Sequence, residues 1–284
     1  MKIINNSIFP LERALYGERD LTIADCVFAG EEDGESALKE CKNIRAERCR
    51  FDLRYPLWHD AGVVLSDCEM TETCRAALWY TSDVKIENSK LHGTKALREC
   101  ADIVINNSDI ISQEFGWMSE NIKITDSSAT GEYFMLRAKN LDINNLNFKG
   151  KYSFQYVENA VIENSVLDTK DAFWHAKNVH IKNSVVKGEY LAWYSDGLTL
   201  ENCIISGTQP LCYCKNLKLI NCEMHGCDLA FERSDVYATV TTRVDSIKNP
   251  WSGEITAAEV GEIIFDEQDA HGKVHVLETE KVAK

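Results

Sequence analysis

Apolar and polar positions along the chain recur every nineteen residues. If each coil begins on the residue before an alternating apolar pair, coils start at Met1, Asp20, Asn43, Gly62, Asp83, Asp102, Asn121, Asn140, Asn159, Asn178, Gly197 and Asn216. From Asp83 to Asn216 every step is nineteen; Asp20 to Asn43 is four longer and Gly62 to Asp83 is two longer. The first insertion carries the acidic run EEDGE, residues 31–35. Within a coil the apolar period is two, as at Ile122/Ile124, Val179/Ile181 and Leu198/Leu200, which predicts a strand with one buried face. Five residues after the start stands Asn in eight coils and Asp in three, followed by Ser or Cys in eleven of twelve. Gly recurs further on, at Gly93, Gly131, Gly150, Gly188, Gly207 and Gly226, where a turn calls for positive φ.

Nineteen residues are too few for a repeat containing a helix and suit one turn of a β-solenoid, in which each strand pairs with its equivalent about 4.8 Å above. The expected fold is therefore all-β, a single-stranded right-handed parallel β-helix of twelve coils. Like residues stack in this arrangement, and the Asn column is read as a ladder of bonded amides. The helix is expected over 1–265, with regular coils over 1–234 and irregular capping coils over 235–265. Residues 266–284 read as a polar tail.

The coils RAALWYTSDVKIENSKLHG, KYSFQYVENAVIENS, KDAFWHAKNVHIKNS and TQPLCYCKNLKLINCEM, with the ending SIKNPWSGEI…GEIIFD, resemble an uncharacterised bacterial domain-of-unknown-function family. That family is placed among the pectin-lyase-like right-handed parallel β-helices. The resemblance covers nearly the whole chain and implies the fold; it carries over no catalytic residue.

Composition narrows the partners. A net charge of −14 argues against a nucleic-acid surface, which is usually basic. No run of about 18 apolar residues offers a membrane span. The opening MKIINNSIFP reads as lacking a signal peptide, and an odd count of eleven Cys favours free thiols; together they give the expectation of a cytoplasmic protein. Cys212, Cys214, Cys222 and Cys227 near His225 lack the spacing of a paired zinc site, and Cys214 and Cys222 are ordinary column members. No calcium-binding Asp cluster or phosphate-cradling glycine loop is present, so no metal and no cofactor are expected.

Two neighbouring columns carry the candidate chemistry. One contains Trp58, Trp79, Arg98, Trp117, Trp174 and Trp193, five of the six Trp in the chain. The other contains His59, Tyr80, Glu99, Arg137, Tyr156, His175 and Tyr194. The preceding residue is apolar and the following one often small, so strict alternation would bury charges such as Glu99 and Arg137 at a cost of several kcal/mol each. We infer a bend that turns both columns outward as a stripe of aromatic and ionisable groups.

Such a stripe suits a carbohydrate: rings stack on apolar sugar faces, and Arg98 and Arg137 hold a carboxylate or phosphate. Glu99 or His59, with Arg137, would move a proton if the ligand is processed. The sequence leaves turnover open. The expected ligand is an oligosaccharide or sugar phosphate. The alternative is a noncatalytic scaffold or interaction rod, with the stripe covered by the C-terminal segment or by a second copy in a homo-oligomer.

Overall fold

A computed structural model describes residues 2–30 and 35–277, so most of the acidic run 31–35 lies outside the described residues. The chain divides into two compact units, Met1–Gly150 and Lys151–Lys284. Each is a stack of parallel strands, with no helix among the described residues. The fold is all-β, a right-handed parallel β-helix.

In the first unit Ile44 pairs with Val63, Val63 with Val84, Val84 with Ile103 and Ile103 with Ile122. These partners follow the inferred repeat, including the longer step into Asp83. In the second unit Ile162 pairs with Ile181, then Leu200, Leu219, Ala238 and Ile255 in turn. Apolar residues from successive coils thus share one inward column. Aromatic core residues stack in inward columns of their own: Phe28 lies 4.9 Å from Phe51, and Phe154 lies 4.8 Å from Phe173. Each buried ring contributes about 2–3 kcal/mol from the area it removes from water.

Nineteen residues close a coil because the backbone turns at left-handed residues. In one coil these are Asn178, Asn183, Tyr190, Ala192 and Tyr194, with φ of 52°, 47°, 56°, 60° and 62°. Asn tolerates this region better than most residues with a Cβ, which accounts for both Asn columns. The Asn side chains face solvent. Some bond along the stack: the Asn107 amide donates to Asn88 Oδ1 at 2.8 Å, and Asn202 to Asn183 Oδ1 at 3.2 Å. Conformation explains the column where stacking alone was expected to.

The residue after the Asn corner points inward and brings its N–H with it. That donor cannot reach water, and the next coil supplies a hydroxyl. Ser89 N–H donates to Ser108 Oγ and Ser108 N–H to Ser127 Oγ, both at 3.1 Å; in the second unit Ser165 N–H donates to Ser184 Oγ at 3.0 Å. Each of these hydroxyls in turn donates to a carbonyl two residues back, as Ser184 Oγ does to Lys182 O at 2.6 Å. Cys26, Cys49, Cys68, Cys203 and Cys222 fill the same column, and all eleven thiols are buried and free. Glycine enters where backbones nearly touch. Gly188, at φ +140°, would set a Cβ 2.0 Å from Thr169 O, and Gly131 would set one 2.0 Å from Ser112 O without needing positive φ.

Two expectations are corrected. The segment 266–284 is not simply a tail: Lys273–Val276 is a strand pairing with Ser252–Ile264, because that strand would otherwise present an unpaired edge. Residues 278–284 lie outside the described residues. The second candidate column, which nineteen-residue steps from Tyr194 would carry to Glu232, slips by one residue at its end. Phe231 is buried, though left-handed too at φ 67°, and the outward left-handed position that follows Tyr213 belongs to Arg233 at φ 51°.

Ser184→Ala should cost about 1–3 kcal/mol, because it strands the Ser165 N–H. Asn183→Gly should be nearly neutral, since Gly accepts left-handed φ. Urea unfolding of the two variants checks the ordering.

Candidate functional site

The stripe exists as two tracts, one in each unit, and both depend on the same local geometry. Leu78 is buried, Trp79 half-buried, Tyr80 exposed and Thr81 buried again. The break in alternation falls on Tyr80, whose φ is 55°; His59, Glu99, Arg137, Tyr156, His175 and Tyr194 have φ between 49° and 62°. A left-handed residue lets two consecutive side chains leave the core together.

In the first unit the ring faces of the stripe are largely taken by one another. Trp58 stacks on Tyr55 at 4.7 Å and receives Lys39 Nζ at 5.2 Å. Its Nε1 is buried without a partner. The Arg98 guanidinium lies 5.1 Å from Trp79 and 5.2 Å from Trp117, so it faces both rings. Such contacts contribute about 0.5–2 kcal/mol each. Arg98 Nε also donates to Glu99 Oε1 at 3.2 Å, and Trp79 Nε1 donates to the same oxygen at 3.3 Å. Glu99 is therefore an acceptor inside a packed cluster. His59 stacks on Tyr80 at 4.9 Å. Arg137 is exposed at its own left-handed corner. Since Tyr80 and Met118 hold the intervening coils, His59 and Arg137 each stand about 10 Å from Glu99 at strand spacing. These three expected catalytic groups are not brought together.

In the second unit Tyr156, His175 and Tyr194 form a ladder with ring separations of 4.8 and 5.0 Å, extended to Tyr213 at 4.9 Å. The planes are within 10–13° of parallel, so faces are covered and edges meet solvent. Trp174 and Trp193 stack at 5.4 Å, and their Nε1 atoms donate to Tyr190 O at 2.7 Å and Gln209 O at 2.8 Å. A sugar needs a free ring face, and the interior of this ladder offers none.

The ladder ends at Tyr213, because the next left-handed position holds Arg233. There a cleft of about 460 Å³ opens, lined by Tyr194, Tyr213, Lys215, Arg233, Asp235 and Trp251. Trp251, the one Trp outside the column, is 56% exposed. It precedes the Asp235–Ser252 pair, and so occupies the place that Ser234 holds one coil earlier. A large ring replaces a small inward residue and stands out from the end of the stack. It has no ring partner among the described residues. A second cleft, of about 280 Å³, shares Trp251 and Arg233 with the first and includes Asn249, Glu267 and Asp269. Burial, with Glu232 nearby, raises the Tyr213 hydroxyl above its ordinary pKa, so it stays a hydrogen-bond donor. Sequence reasoning placed Trp251 only among the irregular capping coils; the signal available was its position off the Trp column. No group of side chains suited to a metal occurs among the described residues.

Over residues 2–277 the sequence matches the family described as "Protein of unknown function (DUF3737)". The chain belongs to this family. No curated protein matches it. Among solved structures it is similar to the Streptococcus pneumoniae surface protein and adhesin PfbA, at 8% identity over 91% of each chain and a TM-score of 0.41. It is similar to the Azotobacter vinelandii mannuronan C-5 epimerase AlgE4 A-module at 9% identity, covering 96% of this chain and 87% of that one, with a TM-score of 0.34. A variant of the periplasmic alginate epimerase AlgG gives 10% identity, 92% and 77% coverage, and a TM-score of 0.29. At such values the likeness concerns the coil architecture alone.

One ionisable group of this DUF3737 chain is out of keeping with its column. Asp60, beneath His59, is 2% exposed where other coils place Ser119 or Ser234. Its Oδ1 accepts the Cys41 N–H at 2.7 Å, as Ser119 Oγ accepts that of Cys100 at 3.0 Å, while Oδ2 has no partner. Burial, opposed by the Cys41 bond and aided by Glu40, pushes its carboxyl up to about 8. The folded state thus holds a proton that the unfolded chain releases near pH 4. Stability from this group is full below about pH 4 and falls by about 1.4 kcal/mol per pH unit until about pH 8. Asp60→Ser should therefore raise the unfolding free energy at pH 8 and leave it nearly unchanged at pH 4, as measured by denaturation across that range.

Proposed function

We propose that the protein binds glycans at the terminal cleft of its second unit, without turning them over. The observation that carries this reading is Trp251: its ring is exposed, stacks on no other ring, and walls a cleft containing Tyr194, Tyr213 and Lys215. A cleft of about 460 Å³ falls within the usual range of about 300–1,000 Å³ for small-molecule sites. The indole supplies an apolar face for a pyranose ring. Hydroxyls of the sugar find the Tyr213 phenol, the Asp235 carboxylate and the Lys215 ammonium. Asp235 is already held in place, accepting from Ser252 Oγ at 2.7 Å.

The wider stripe plays a different part. Trp58, Trp79, Trp117, Trp174 and Trp193 brace the corners, with faces on neighbours and most indole N–H groups on protein acceptors. Tyr156, His175 and Tyr194 contribute ring edges leading to the cleft. The groups expected to move a proton, Glu99, His59 and Arg137, belong to the first unit and do not line this cleft, so the cleft supports binding as the reading.

Titration calorimetry with a panel of neutral and acidic di- to tetrasaccharides tests the reading. At least one should bind the wild type, Trp251→Ala should weaken it by about tenfold or more, equivalent to about 1.4 kcal/mol, and Trp79→Ala should leave it unchanged. Equal losses from both substitutions, or no binding by any member, would sink it.

A further inference from the structure

The charges around Trp251 are arranged unevenly, and this points to the class of sugar. The larger cleft carries the cations Lys215 and Arg233 against one carboxylate, Asp235. The smaller cleft carries Arg233 against two, Glu267 and Asp269. Lys215 Nζ has no ion pair among the described residues. Arg233 is differently placed. Its Nε and Nη2 donate to the two Glu267 oxygens at 2.8 and 2.9 Å, the two-pronged geometry by which guanidinium holds a carboxylate.

We propose that the cleft selects an acidic sugar, one bearing a carboxylate, sulfate or phosphate, and that Glu267 is a built-in competitor occupying Arg233 until such a ligand arrives. This rests on the glycan-binding reading of the same cleft. Arg233 lines both clefts, so its side chain is within reach of an anion in either one. In the larger cleft Lys215 adds a second positive charge; in the smaller one Asp269 opposes an anion. The Arg233–Glu267 pair is surface-exposed, at 54% and 31% for the two side chains, and exposed pairs are weak. Exchanging one carboxylate for another on the same fork therefore costs little. A neutral sugar offers nothing that can displace Glu267, so Arg233 stays where it is and only the ring contact is made. The chain's charge of −14 repels anions at a distance, so selection happens at contact, by these two cations.

The test uses a uronic-acid trisaccharide and its carboxyl-reduced neutral counterpart, titrated calorimetrically into wild type, Glu267→Gln and Lys215→Gln. The wild type should prefer the acidic trisaccharide. Glu267→Gln should tighten it by about fivefold to tenfold with the neutral counterpart unchanged, and Lys215→Gln should weaken the acidic one alone. Equal tightening of both sugars would mean that Glu267 acts by closing space rather than by competing for charge, and an unchanged acidic affinity would mean that it does not compete. Either result overturns this inference and leaves glycan binding standing. If neither sugar binds any of the three proteins while their unfolding curves coincide, both fail. Should Glu267→Gln unfold more readily, Glu267→Ala with the same pair of sugars gives the same discrimination.

Discussion

Each coil turns at residues with φ near +50°, a conformation that crowds a Cβ against the following carbonyl and costs roughly 1–2 kcal/mol per residue. The cost recurs at every coil and must be offset locally. Asn and Gly reduce it at the corners beside the strands, as at Asn159, Asn178, Gly197 and Asn216. Past the corners before Cys68, Ser89, Ser108 and Ser165 the chain points a backbone N–H into the core, and a serine hydroxyl from the next coil accepts it. The Ser89, Ser108 and Ser127 chain shows the same solution repeated. The apolar columns supply the bulk of the stability, but they can stack only because these corners keep every coil in register.

The stripe follows from the same constraint. A left-handed residue just before an inward one throws a side chain outward once per coil, with the residue ahead of it half-buried. Flat rings placed there at strand spacing must stack on each other. Tyr156, His175, Tyr194 and Tyr213 do so, with separations of 4.8–5.0 Å. Stacking helps to offset the strained corner, and it also consumes the faces a ligand would use. The proposed cleft lies where the repeat breaks down: the shift to Arg233, the shortened step to Trp251 and the strand pairing of Lys273–Val276. There the Trp251 ring has no ring partner and Lys215 no ion pair among the described residues, while Arg233 is held by Glu267.

This explains how much could be read from the sequence. The period, the strand faces and the buried Ser and Cys column were legible because they repeat, and repetition averages out local exceptions. The outward bend was legible from buried-charge cost at Glu99 and Arg137. The role of Asn was only half legible, since stacking and left-handed φ favour the same residue. The proposed cleft was legible only in Tyr194, which lines it. Five Trp in one column look like a binding platform on paper, whereas Arg98 between Trp79 and Trp117 turns that platform into packing. Trp251 and Arg233 lie where the period fails, and a reading built on the period passes over them.

Fluorine NMR on protein carrying 5-fluorotryptophan gives one resonance for each of the six Trp and tests the central claim that ligand binding is confined to the end of the stack. On titration with the uronic-acid trisaccharide the Trp251 resonance should shift and saturate, while those of Trp58, Trp79, Trp117, Trp174 and Trp193 hold their positions. Saturable shifts at the column tryptophans with Trp251 silent would contradict the account.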